Sequence, residues 1–256
     1  MAPPIVIVAF GTSSSARSTY AHLAEKIAAL LPDRQIFWAA SSRILATRTG
    51  QADDFANASP DTILGKLISQ GHQQVVVQSL HLLAGSEFHR LHQETSRLPI
   101  AVGMGMPLLH SPEDYQAMIV MLDPLIRTQP DSAIVVVGHG TFHPVWPAYL
   151  ALENLLQVRY GNRVMVGVVE KYPPCDQLID RIIANGYRKV LLIPFLLVAG
   201  MHYRRDIVGS NADSWQSRLQ AAGLAVSAIP EGLAMLPGIE ALIARHISNA
   251  EAILPR

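Results

Sequence analysis

Cysteine is almost missing from this sequence: Cys175 is the one thiol in 256 residues, so no intramolecular disulfide can form. Net charge is missing as well, because 20 Lys and Arg balance 20 Asp and Glu. No summed field gathers nucleic acid or an anionic membrane, and an acidic ligand has to be held by local groups. Charged residues make up only 16% of the chain while hydrophobic ones make up 50%. An average soluble protein has roughly 25% charged residues, so the balance excludes a disordered chain and predicts a sizeable core. No apolar run reaches about 18 residues without a polar break, and no membrane span is expected. The opening Met-Ala-Pro-Pro-Ile-Val-Ile-Val lacks a basic n-region and a long apolar h-region, which sets the expectation of a cytoplasmic protein.

Short apolar runs alternate with longer amphipathic ones, as in a parallel sheet covered on both faces. Strands are expected at 5–10, 35–40, 74–82, 100–103, 133–138, 163–169, 189–197 and 225–229. Helices are expected at 18–31, 60–70, 112–127, 147–160, 175–185, 214–222 and 239–250. Ser59-Pro60, Ser111-Pro112 and Asp213-Ser214 are start signals, and Gly71 and Gly186 are stops. The chain also repeats itself. Ile-Val-Ile-Val-Ala-Phe-Gly-Thr at 5–12 matches Ile-Val-Val-Val-Gly-His-Gly-Thr at 134–141, offset by 129. The run 75–85 matches 190–200, offset by 115. The offset changes because the first half carries extra residues around 47–58, a polar, weakly patterned stretch. The fold class expected is therefore α/β, with two similar Rossmann-like lobes, each a parallel sheet flanked by helices, at 1–128 and 129–256.

Ligands of open α/β sheets sit outside the carboxyl ends of the strands. Three strands of the second half end in metal-ligating residues: His139 in Gly-His-Gly-Thr, Glu170 in Val-Val-Glu-Lys-Tyr-Pro, and His202 after the Ala-Gly break. Two imidazoles and a carboxylate suit a borderline divalent metal such as Co, Ni, Fe or Zn. Taken alone, a strand-end histidine is commonly just a hydrogen-bonded loop residue, and Glu170 beside Lys171 reads equally as a surface ion pair. The repeat supplies a control. By the two offsets His139 corresponds to Phe10, Glu170 to Ser41 and His202 to Glu87, so the scaffold is duplicated and the ligand set is not. A function specific to the second lobe follows.

These motifs, with the early Ala-Phe-Gly-Thr-Ser and Ser-Ser-Arg-Ile and the later Ile-Pro-Phe-Leu-Leu-Val-Ala-Gly-Met-His, resemble the anaerobic sirohydrochlorin cobaltochelatases. These are the single-subunit, ATP-independent class II chelatases of the cobalamin pathway, lyases related to ferrochelatase. The resemblance covers nearly the whole chain. It implies two Rossmann-like lobes with the tetrapyrrole in the cleft between them, and His139, Glu170 and His202 around the incoming metal. It implies Co²⁺ insertion into sirohydrochlorin or a close precorrin with release of two protons. Iron or nickel insertion into the same tetrapyrrole is the near alternative. His139 would accept a pyrrole proton, Glu170 would offset the metal's charge and relay protons, and His202 would complete an open site.

A polycarboxylate substrate needs local anion sites in a chain without net charge. The turn with Thr12, Ser13 and Ser14, and Thr141 after Gly140, run from strand ends toward helices, where free backbone N–H groups favour anions, although plain helix capping explains the hydroxyls equally well. Arg43, Arg204 and Arg205 can add forked contacts to carboxylates. Phe10, Phe195 and Met201 are candidate walls for the ring, with Glu87 facing the metal's far side, while core packing is the ordinary role of Phe195. His89 and His92 would share a helix face as a solvated polar pair, and His81 reads as a satisfied core histidine. No P-loop pattern occurs, so no nucleotide is expected, nor any cofactor beyond the metal substrate. The expected partners are sirohydrochlorin and the divalent metal, without nucleic acid or membrane, and a homo-oligomer stays open. Two rival readings remain. One is a two-lobed binding module without catalysis, which does not explain the unequal ligand set. The other is a histidine phosphatase or mutase, which wants an Arg where Gly138 stands.

Overall fold

The computed structural model describes residues 2–11, 17–41 and 58–255. The Thr12, Ser13, Ser14 and Arg43 expectations, and nearly all of the 47–58 stretch, lie outside the described residues. Among the described residues, eight strands form two four-stranded sheets. In chain order they are β1 Ile5–Ala9, β2 Ile36–Ala40, β3 Gln74–Ser79, β4 Ala101–Gly105, β5 Ala133–Gly138, β6 Val164–Val168, β7 Lys189–Phe195 and β8 Ala225–Ala228. The helices are α1 Arg17–Leu30, α2 Pro60–Ser69, α3 Ser86–Thr95, α4 Pro112–Arg127, α5 Pro147–Tyr160, α6 Cys175–Ala184, α7 Trp215–Ala221 and α8 Ile239–Ala252.

Each sheet is parallel, ordered β2-β1-β3-β4 in one and β6-β5-β7-β8 in the other. The two orders are the same, so the sequence repeat is a repeat of topology. The strand that each unit makes first, β1 or β5, lies inside its sheet with the next two strands on opposite sides. That is the point where the strand order reverses and where a doubly wound sheet opens a crevice for ligand. β1 and β5 are buried at every position, which is why they read as continuous runs of Ile, Val and Ala rather than as alternating patterns. One core gathers Val6, Val8, Leu64, Leu67, Val75, Val77, Phe88 and Leu91. The other gathers Val135, Val137, Leu178, Ile182, Leu192, Trp215 and Leu219.

The local signals act as expected. Ser59 and Ser214 accept hydrogen bonds from the backbone N–H groups of Thr62 and Ser217, and α2 and α6 stop before Gly71 and Gly186, both at positive φ. Helix α3 is not among the expected helices, because Ser-Glu-Phe-His-Arg-Leu-His-Gln-Glu-Thr is polar and buries only Phe88, Leu91 and Thr95.

The division of the chain differs from the expected 1–128 and 129–256. One compact unit is Met1–Asp114 together with Pro237–Arg256, and the other is Tyr115–Leu236. Helix α8 buries Ile239, Leu242, Ile243, Ile247 and Ala250 and packs against α1, β3 and β4 of the first unit. Helix α4 belongs almost wholly to the second unit, where Tyr160 and Arg159 reach Asp123 and Arg163 donates to the Ile126 carbonyl. The helix after the fourth strand of each half is thus counted with the other unit. A repeat read along the chain fixes which strands match, not which sheet a closing helix covers.

Candidate metal centre

β5 ends at Gly138, and His139 begins the loop beyond it. Gly140 follows with φ of +90°, a left-handed conformation that L side chains avoid, and a Cβ there would run into the Glu170 carbonyl. The close approach is deliberate. The Glu170 N–H donates to the His139 carbonyl at 2.8 Å, which continues the β5–β6 pairing past both strands. The Gly140 N–H donates to the hydroxyl of buried Tyr149 at 3.1 Å, and the ring of Tyr149 occupies the place a side chain at 138 would need. These contacts fix the backbone that carries His139.

His202 comes from the segment after β7, two residues past Gly200. His139 Nε2 and His202 Nε2 lie 3.2 Å apart, with the rings edge to face. His139 Nδ1 lies 3.1 Å from the Gly140 carbonyl, and His202 Nδ1 lies 2.7 Å from Asp206 Oδ2. Both Nδ1 atoms face oxygen acceptors, which suits the Nδ1–H tautomer on each ring and turns the two Nε2 lone pairs toward each other. Two nitrogens bound at about 2.0–2.1 Å to one tetrahedral metal sit roughly 3.3 Å apart. The pair therefore has the spacing that one metal ion requires.

The third expected ligand is placed differently. The side chain of Glu170 is exposed, and among the described residues no group of three His, Cys, Asp or Glu side chains is arranged to hold a metal ion. Its carboxylate instead lies where it acts electrostatically on Arg205. Arg205 grips Asp206 through Nε to Oδ1 at 2.7 Å and Nη2 to Oδ2 at 3.0 Å. Partial burial opposes ionisation of Asp206, but the hydrogen bonds from Arg205 and His202 outweigh it and hold the carboxyl below its usual range. Asp206 was missed in the sequence. Its signal is the spacing of four from His202 on a helical turn, legible only once residues 201–207 are known to be helical.

The other expected residues divide. Phe10, just past β1, and Met201, at the start of the helical segment after Gly200, are 54% and 59% exposed, which large apolar side chains seldom are. Phe195 is core. The Thr141 hydroxyl accepts from the His143 N–H, an ordinary local turn. Glu87 pairs with Arg90 at 2.5 Å. His81 has both ring nitrogens beside serine hydroxyls, Ser79 at 2.8 Å and Ser41 at 3.3 Å, and burial, helped by the Arg90 charge, pushes it down to about 4. It is satisfied, as expected, and neutral. His89 and His92 lie beside Phe88 on α3. Cys175 is buried and its thiol is pushed up to about 12 by burial, so it is no nucleophile. Unforeseen are the aromatic residues in the same loops as the histidines. Phe142 is 77% exposed beneath the Lys171 ammonium at 3.6 Å, and Trp146 meets Tyr172 edge to face at 5.6 Å.

The pairings also revise one correspondence in the repeat. The Val169 N–H donates to the Gly138 carbonyl as the Ser41 N–H donates to that of Ala9. Glu170 therefore matches residue 42, one beyond Ser41. Gly85 and Gly200 each precede a helical turn, so the match of His202 with Glu87 stands.

Over nearly its whole length the chain is similar to known proteins. Residues 4–252 match the model of the family described as cobalt chelatase (CbiK). The sirohydrochlorin cobaltochelatase of Salmonella typhimurium is 34% identical over 98% of this chain and 97% of its own. That of Nitratidesulfovibrio vulgaris, CbiKC, is 29% identical over 98% and 91%. Among solved structures, SirB from Bacillus subtilis with Fe³⁺ superposes with a TM-score of 0.69, and CbiX, described as the terminal enzyme of siroheme biosynthesis in denitrifying bacteria, with 0.61. Both cover 98% of this chain, at 17% and 18% identity, and at that level the likeness speaks for the fold. With its motifs, its doubled sheet and nearly its whole length accounted for, the chain belongs to the cobalt chelatase (CbiK) family.

Proposed function

We propose that this chelatase inserts Co²⁺ into sirohydrochlorin, in cobalamin biosynthesis, with His139 and His202 presenting the metal. The observation that carries the reading is the 3.2 Å approach of their Nε2 atoms at the carboxyl end of β5. Insertion exchanges the two pyrrole N–H protons for the metal ion, so the site must hold Co²⁺ through few enough ligands to release it and must accept protons. Two imidazoles do this. As the ring nitrogens displace His139 from the metal, its Nε2 becomes free to accept a pyrrole proton. Glu170, exposed beside the same loop, offsets the metal's charge and takes protons outward. Exposed Met201, Phe142 and Trp146 offer apolar surface suited to a flat macrocycle, and Lys171 offers a cation to one of its carboxylates. Phe10 and Thr141, in the loops that follow β1 and β5, and Glu87, in the first turn of α3, are proposed substrate contacts, as are Thr12, Ser13, Ser14 and Arg43 on the sequence alone. The reaction needs no nucleotide, because a metal already held by two neutral ligands has lost part of its hydration shell.

The test is insertion kinetics on sirohydrochlorin followed by visible absorption, with Co²⁺, Fe²⁺ and Ni²⁺ in parallel. The expected result is acceleration well above the protein-free rate, greatest with Co²⁺. A spectral shift on mixing without faster insertion would make the protein a binding module, and preference for Fe²⁺ or Ni²⁺ would reassign the metal.

A further inference from the structure

His139 and His202 are not held alike. The Nδ1–H of His139 meets a neutral backbone carbonyl, whereas that of His202 meets the carboxylate of Asp206. Asp206 is in turn fixed by the two-pronged contact from Arg205. The backbone arranges this. Tyr203–Ile207 forms a widened turn in which the Val208 N–H reaches the Tyr203 carbonyl, five residues back, at 2.9 Å. Such widened turns recur at functional sites.

We propose that Asp206 is a positioning residue for metal capture: its carboxylate holds His202 in the Nδ1–H form and aims the bare Nε2 at the metal position beside His139. The inference rests on the reading of His139 and His202 as the metal pair. Asp206 is not itself a third ligand. Both of its oxygens are engaged, Oδ2 with the Nδ1 side of His202, remote from the ring nitrogen that faces His139, and both with Arg205. Arg205 thereby keeps the carboxylate behind the imidazole. A histidine backed by a carboxylate is a stronger donor than one backed by a carbonyl. His202 is accordingly the ligand that keeps hold of the ion, and His139 is the one that lets go first and becomes free to take a proton. The unequal backing gives the transfer an order.

The test uses the full-length protein without tetrapyrrole, titrated with Co²⁺ and followed by the ligand-field spectrum of the bound ion, with folding checked by circular dichroism. Asp206→Ala is expected to weaken Co²⁺ about 10- to 100-fold and to change the spectrum, in line with the loss of an outer-shell partner of a ligating histidine. Asp206→Asn, whose side-chain oxygen still accepts the Nδ1–H, is expected to recover part of the affinity, because the ring is aimed again without the added donor strength of a carboxylate, and it carries the test if Asp206→Ala does not fold. Wild-type affinity and spectrum in folded Asp206→Ala would overturn the proposal. So would an Asn variant as weak as the Ala variant, since charge alone would then be the cause. His202→Ala with undiminished Co²⁺ affinity would overturn it together with the assignment of the pair. If Co²⁺ binds through His202 but the wild type never accelerates insertion, the chelatase function fails while the role of Asp206 in binding stands.

Discussion

His81 and His139 both follow strands at the carboxyl ends of their sheets, yet their surroundings set them to different work. His81 sits between two serine hydroxyls and is held neutral by burial, down to about 4. In the unfolded chain it would protonate at the ordinary value near 6.5. The folded protein therefore gains stability from His81 above about 6.5 and loses it as pH falls toward 4. In His81→Gln that part of the loss is expected to vanish, which denaturant titrations at several pH values would read. A second prediction concerns the loop. Gly140→Ala puts a Cβ into the Glu170 carbonyl at a left-handed φ, so the loop must shift and spoil the 3.2 Å pair. Co²⁺ affinity should fall at least tenfold, since a ligating side chain is displaced, whereas unchanged affinity would mean that the loop geometry does not govern the site. His139 and His202 were legible in the sequence because a strand-end position can be read from apolar runs. Asp206, Phe142, Trp146 and Tyr172 were not, because their place depends on loop and turn geometry that leaves no periodic trace.

At the scale of elements, the strands were legible to within a residue or two at most ends, because runs such as Ile-Val-Ile-Val-Ala and Ala-Ile-Val-Val-Val-Gly can only be strands covered on both faces. Helix α3 escaped for the opposite reason, having three buried positions and a polar remainder. The anchoring of α8 could not be read either, since it depends on partners more than 100 residues apart. Asp114, 2% exposed, accepts hydrogen bonds from the His110 and Ser111 N–H groups at the start of α4, and from Arg245 and His246 of α8 at 2.7 and 2.8 Å. Burial opposes its ionisation, but the bonds from Ser111, His246 and His110 prevail and keep its carboxyl below the usual range. Its contribution is present above the ordinary carboxylate value and is lost as pH falls below it. Asp114→Ala leaves His246 and Arg245 without their anion. The expected cost is about 1–3 kcal/mol, the range for leaving buried hydrogen-bonding groups without their partner, read by denaturant unfolding at neutral pH. A cost below about 1 kcal/mol, typical of an exposed pair, would show that α8 is held by its apolar face alone.

At the scale of the molecule, among the described residues one topology occurs twice and one close pair of strand-end histidine loops, His139 with His202, occurs once. The first unit has Phe10 where the second has His139, and Glu87, paired with Arg90, where the second has His202. Among the described residues of that unit, a borderline metal that prefers imidazole finds no equivalent pair. One tight Co²⁺ per chain is therefore expected, unaffected by Glu87→Ala, and a second tight site lost in that variant would refute the asymmetry. The repeat made the doubled fold legible, but two features of the molecule lay beyond it. The closing helices are assigned to the opposite units, and Glu170 matches residue 42 rather than Ser41, because backbone pairing and not sequence offset sets the register. The most direct test of the account is the initial rate of Co²⁺ insertion into sirohydrochlorin by wild type, His139→Ala and His202→Ala, all verified as folded. The account predicts that both variants fall to the protein-free rate while the wild type stands far above it. A folded His139→Ala or His202→Ala that inserts Co²⁺ at close to the wild-type rate would contradict it.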